Sequence, residues 1–193
     1  MEIHDFKTEI IEKNYLTNDI IKLSVKSKDG FSFKAGQYLL IECCRGEEKD
    51  FKAYSILNPP SQKEKLDFCI KIVDKGFASE FFDKTGVGNL LRVKGPFGQF
   101  VFDEYSANKK HWFIGVGVGI TPLYSMLRQH LPRKKDEDFR LIFGARTKES
   151  LVFHEEFLDL EQRYDNFTYT PTITRERDGK DETARYKNTS GQA

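Results

Sequence analysis

The hydrophobic rhythm of the chain changes once, near residue 105. Before that point apolar positions recur with a period of two. Phe6 and Ile10 lead to Tyr15 and Leu16, and then Ile21, Leu23 and Val25 alternate with polar neighbours. Period two is the mark of half-buried strands. Asn14 to Asp19 and Asp29-Gly30 read as turns between them. Ala35-Gly36 turns the chain into a strand over Tyr38 to Ile41. Asp50 to Leu57 predicts a further strand, stopped by Asn58-Pro59-Pro60. Leu66 to Val73 alternates again. About five strands at such short spacing predict a small antiparallel barrel.

Gly76 to Phe82 predicts a short helix ended by Gly86 and Gly88. Leu90 to Val93 predicts one more strand, and Gly95-Pro96-Phe97-Gly98 reads most simply as the turn that closes it. The polar stretch 103–110 separates the halves. Beyond it, strands are expected over Trp112–Val116, Phe139–Phe143 and Phe167–Thr172. Helices are expected over Pro122–His130 and Glu149–Tyr164. A β-α-β-α-β order implies a parallel sheet with right-handed crossovers. The expected divisions are residues 1–104, 108–176 and a polar tail, 177–193, with no apolar periodicity and little expected order. A three-stranded parallel sheet is small and leaves an open edge.

Composition narrows the function classes. Of 193 residues 38% are hydrophobic, with 17 Phe, enough to fill a core. A net charge of +1 gives no electrostatic reason to expect nucleic acid or an anionic membrane as partner. The polar N-terminus does not read as a signal peptide, and no apolar run approaches the ~18–20 residues of a membrane span. Cys43, Cys44 and Cys69 form no metal-binding spacing and read as reduced thiols of a cytoplasmic protein. They cannot hold an iron–sulfur cluster alone. His154-Glu155-Glu156 has no second His at the spacing that a zinc helix needs. No metal site is expected.

Three stretches carry candidate chemistry. The first is Gly115, Gly117 and Gly119 followed by Thr121-Pro122, a strand turning through glycines into a helix. Such a turn lets backbone N–H groups reach an anion, and the helix start adds partial positive charge. Its spacing is not the G-x-G-x-x-G of dinucleotide folds. The second is Lys52-Ala53-Tyr54-Ser55, which offers a cation, a flat ring and a hydroxyl. Alone, it reads as a barrel-core tyrosine beside a solvated lysine. The third is Gly76 to Ser79, a glycine-led helix start that suits either a pyrophosphate or an ordinary N-capping serine. Two phosphate-ready turns in one chain suggest two nucleotides.

The ordered strings KAGQY, KAYS, GFAS, KGPFGQF, FIGVGVGITPLYSML, FGAR and YTPTITRE resemble those of the ferredoxin–NADP reductase superfamily, from about residue 5 to 176. The resemblance implies an N-terminal antiparallel Greek-key β-barrel that binds FAD. It implies a Rossmann-like parallel α/β domain that binds NADP or NAD. It implies hydride transfer from the nicotinamide to the flavin, and electrons passed to a ferredoxin, a flavodoxin-like protein or another acceptor. Tyr54 would stack on the flavin ring and Ser55 would bond near its N5. Lys52, in place of the usual Arg, would pair with the pyrophosphate without a bidentate fork. Ile70, Lys71 and Ile72 would border the ribityl chain and adenosine, and Gly76, Ala78 and Ser79 the pyrophosphate. Gly115, Gly117, Gly119, Thr121 and Pro122 would cover the nicotinamide-nucleotide phosphates. Arg146, Thr174 and Arg175 lie where NADP-preferring members hold the 2′-phosphate, for which a guanidinium is suited. No acidic residue ends the second strand to take a ribose 2′-OH, which favours NADP.

After Glu176 the sequence departs from the family, with no further strands, no Cys-Gly stretch and no closing aromatic. The expectation is therefore an incomplete second domain. The rival reading is a flavin-binding module or electron-transfer subunit without independent NAD(P)H reductase activity.

Overall fold

A computed structural model describes residues 2–175; the expected tail at 177–193 lies outside them. By its internal packing the chain falls into two units. Among the described residues, one takes in those up to Glu104 with Thr121–Gln129, the other Tyr105–Ile120 and those from His130 to Arg175.

The first unit is built on six antiparallel strands. They are β1 (His4–Tyr15), β2 (Ile20–Lys26), β3 (Tyr38–Arg45), β4 (Glu48–Ser55), β5 (Lys65–Lys71) and β6 (Leu90–Phe97). Their order across the sheet is β4-β3-β6-β1-β2-β5. The terminal strands meet where Ile56 bridges Phe68 and Leu57 N–H donates to Asp67 O at 2.7 Å. Between β5 and β6 runs helix α1 (Phe77–Lys84). The interior is filled by Ile10, Ile21, Leu23, Leu39, Ile41, Phe68 and Phe82, with Phe81 packed alongside. The alternation read in β2 and β5 is the inward half of this core.

Two expectations of local structure are corrected. Gly95-Pro96-Phe97 is not a turn: β6 continues through it, with Gly95 opposite His4 and Phe97 opposite Tyr38. Pairing on both sides holds the segment extended. Gly95 permits it, because a Cβ there would lie 2.5 Å from Leu39 Cδ2. The helix expected from Glu149 starts later, as α3 (His154–Arg163). Leu151, Val152 and Phe153 are all buried. Three successive residues cannot share one face of a helix, so the chain turns through them, with Phe153 in the left-handed region at φ +63°.

Asn58, 2% exposed, ties the β4–β5 loop together. Its amide donates to Gln62 O and Lys65 O and its Oδ1 accepts from Asp67 N–H. Its carbonyl accepts from Ser125 Oγ at 2.9 Å. Ser125 lies on α2 (Ile120–His130), which follows β7 (Lys110–Val116) in the chain.

In the second unit β7, β8 (Asp138–Ala145) and β9 (Phe167–Ile173) form a parallel sheet in that order. Phe139, Leu141, Phe143, Phe157 and Tyr169 are buried on one side. On β7, Trp112, Ile114 and Val116 share the opposite face and are 59%, 69% and 72% exposed. No described helix is long and apolar enough to cross a membrane.

Candidate functional site

Strand β4 places its three candidate residues by register. Lys52 stands opposite Ile41, Tyr54 opposite Leu39 and Ser55 opposite Tyr38. Cross-strand partners share a face, so Tyr54 and Lys52 lie on the side of buried Leu39 and Ile41, and Ser55 on the other. The Tyr54 ring meets the Phe82 ring edge-on, centroids 5.4 Å apart. Burial raises the phenol's pKa, so Tyr54 keeps its proton. Lys52 Nζ bonds the Asp50 carboxylate, and that bond holds Asp50 below the usual carboxylate range.

Lys52 also lies 5.8 Å from the centre of the Phe77 ring, and the Arg45 guanidinium lies 5.0 Å from it. Phe77 is the first residue of α1. Two cations thus stand at the start of this helix. Arg45 was not legible as part of this group, because only the β3–β4 hairpin and the return of α1 bring it there.

The start of α1 is tightly specified. Gly76 has an ordinary φ of −72°, so its need for glycine is spatial. A Cβ there would lie 2.9 Å from Ser79 Oγ and 3.0 Å from Val73 O. Ser79 Oγ accepts from Val73 N–H at 2.8 Å. It pins the incoming loop rather than capping the helix. A helix leaves its first amides without internal acceptors; here these belong to Phe77, Ala78 and Ser79.

Strands β4 and β5 join at Ile56 and Phe68, while β5 continues past this bridge along β2. The Ile70 side chain is buried and Ile72 packs against the core. Ile72 N–H donates to Asp19 O at 2.7 Å. The pleat therefore turns the N–H and C=O of Lys71 to the edge away from β2. The Lys71 ammonium pairs with Asp19 at 3.2 Å.

β7, in the second unit, runs through Gly115 into a 3₁₀ turn, Gly117–Gly119; the chain then enters α2, whose residues Thr121–Gln129 belong to the first unit. Gly117 has φ +52°, and nothing lies within 4 Å of a Cβ at Gly117 or Gly119. The loop is open on that side. Pro122 falls in the first turn of α2, where its missing N–H costs nothing. Thr121 is buried, with its hydroxyl against the Cys69 thiol. Burial pushes that thiol to about 12, which keeps it protonated and unreactive.

Backbone pairing continues past the ends of β8 and β9. Thr174 N–H donates to Ala145 O and Arg175 N–H to Arg146 O, at 3.1 and 2.8 Å. This sets exposed Arg146 and Arg175 side by side. Val116 pairs with Gly144 and Gly144 with Thr172, so the glycine turn and both arginines occupy the carboxyl end of the sheet. Ligands of open parallel sheets bind at that end.

The model of an oxidoreductase FAD-binding domain family matches residues 7–102, and that of an oxidoreductase NAD-binding domain family matches 113–189. Ferredoxin–NADP reductase B of Sorangium cellulosum is 31% identical over 179 residues, covering 91% of this chain and 72% of that protein. The reductase component DmpP of phenol 2-monooxygenase from Pseudomonas sp. is 29% identical over 177 residues, 91% of this chain. The chain spans 49% of its length. A ferredoxin NADP+ reductase of Neisseria gonorrhoeae, solved with bound FAD and NADP, shares the fold with a TM-score of 0.81 at 22% identity. That likeness covers 90% of this chain and 70% of that one. The barrel order, the parallel second sheet and these matches agree: the chain belongs to the ferredoxin–NADP reductase superfamily of FAD- and NAD(P)-binding oxidoreductases.

Proposed function

We propose that this chain is a flavin-dependent NAD(P)H oxidoreductase that passes electrons to a separate redox protein, of the ferredoxin or flavodoxin kind or an oxygenase partner. The observation that carries the reading is the pairing of cations and helix amides. Lys52 and Arg45 stand at the start of α1, whose leading amides suit a pyrophosphate. FAD, when bound, supplies the redox chemistry, taking a hydride from the nicotinamide and releasing electrons to the acceptor.

The residues position and hold. Tyr54, kept neutral and backed by Phe82, offers its free side to the flavin ring. Ser55, last in β4, takes the edge of the ring at N5. The outward peptide of Lys71, between Ile70 and Ile72, bonds the flavin along β5. Lys52 and the amides around Gly76, Ala78 and Ser79 hold the pyrophosphate. Gly115, Gly117, Gly119 and Pro122 leave room for the nicotinamide-nucleotide phosphates, while Thr121 supports the turn from within. Arg146 and Arg175, beside Thr174, favour a 2′-phosphate and therefore NADP over NAD. The domain limits proposed are 1–104 for flavin and 108–176 for nucleotide, and the compartment proposed is the cytoplasm.

A second reading rests on the bare face of β7. Trp112, Ile114 and Val116 are exposed on a sheet whose other face is packed, as in a subunit completed by a partner. Anaerobic titration separates the readings. Under the first, FAD-loaded protein bleaches with NADPH at lower concentration than with NADH, and Arg146→Ala narrows that difference. Under the second, it bleaches only when a partner is added. Protein that takes up no FAD refutes both.

A further inference from the structure

The last carbonyls of an α-helix have no internal donors, and α1 is only eight residues long. Its final turn is closed from far away in sequence. Lys13 Nζ, on β1, donates to Phe82 O at 2.7 Å, to Thr85 O at 2.9 Å and to Asp83 O at 3.4 Å. Thr85 Oγ1 donates to Phe81 O at 2.6 Å. One ammonium thus holds three carbonyls at the negative end of a helix dipole, where a cation is favoured. The same helix presents its leading amides to the proposed flavin pyrophosphate.

We propose that Lys13 is a positioning residue for the flavin site, clamping the C-terminal turn of α1 so that its N-terminal amides converge on the pyrophosphate. The inference rests on the flavin reading above. With barely two turns, α1 cannot lose the last one and keep the first in register. The Phe82 ring is 1% exposed and is held by the barrel core rather than by the ammonium. Tyr54 therefore keeps its support, and the ring end of the flavin is affected less than the phosphate end.

The test measures FAD and riboflavin affinity and amide hydrogen exchange in wild type, Lys13→Met and Lys13→Arg. Lys13→Met is expected to weaken FAD roughly tenfold, ~1.4 kcal/mol, and riboflavin less than about threefold. Exchange in α1 should rise while the β2–β5 ladder is unchanged, and Lys13→Arg should recover most of the FAD affinity. FAD binding within about twofold of wild type, or equal losses for FAD and riboflavin, overturns the positioning role. Wild-type protein that takes up no FAD overturns the flavin reading itself, and this role with it.

Discussion

Two glycines of the barrel unit separate the conformational from the spatial reason for having no side chain. Gly30 has φ +74° and nothing within 4 Å of a Cβ. Gly36, in the KAGQY string, has φ +100°, and a Cβ there would lie 2.1 Å from Phe100 O and 2.3 Å from Met126 Cε. Replacing Gly30 by Ala incurs only the left-handed backbone penalty, about 1–2 kcal/mol. Gly36→Ala adds a steric cost. The Met126 side chain can swing aside, but the Phe100 carbonyl is backbone and moves only with its chain. Overpacking of this kind costs about 1–3 kcal/mol, so Gly36→Ala should lose about 2–5 kcal/mol in all. With a urea m-value of about 2 kcal/mol/M, its midpoint falls by about 1–2.5 M, and that of Gly30→Ala by about half as much. Urea unfolding followed by far-UV circular dichroism reads the difference. Equal midpoints for the two variants would show that crowding at Gly36 carries no energy, and the reasoning would be refuted.

Asp50 competes with the proposed pyrophosphate for Lys52. The pair is exposed and screened by solvent, so its competition is weak; Asp50→Asn should tighten FAD binding slightly and Lys52→Met should weaken it; titration by flavin fluorescence decides, and unchanged affinity in both removes Lys52 from the site. Burial alone would raise the pKa of Glu137, but Lys134 Nζ at 2.8 Å and His111 Nε2 at 2.8 Å outweigh it and hold the carboxyl below its ordinary value. A depressed folded-state pKa gives stability that is full above the unfolded value, about 4.3–4.5, and is lost as pH falls through the folded one. Glu137→Gln should therefore be less stable at neutral pH and flatter in stability below about pH 5; parallel acid profiles for variant and wild type would contradict this.

The strands of the barrel were legible because each buries one face, so that period two is written directly into Ile21, Leu23 and Val25. The glycine turn into α2 was legible for a local reason too: φ, room and helix entry are fixed within eight residues. What escaped the sequence depends on distant partners. The run Gly95 to Phe97 carries turn residues, yet ladders to β1 and β3 keep it extended. Asn58 read as a strand stop, and its four hydrogen bonds reach Gln62, Lys65, Asp67 and Ser125. Nothing local marks Lys13, because its partners are carbonyls at the far end of α1. Of the candidate site, the residue types were readable and the faces were not: Tyr54 and Ser55 are neighbours in sequence that point to opposite sides of β4.

Trp112 is the only tryptophan of the chain. It stands on the bare face of β7, with the Arg140 guanidinium 5.3 Å from its ring. Its fluorescence is therefore that of a wetted indole, with no second tryptophan to mask it. Anything that settles on this face displaces water from the ring and moves the emission to shorter wavelength. The protein thus carries, at one end of its exposed apolar stripe, an optical gauge of whether that stripe is covered.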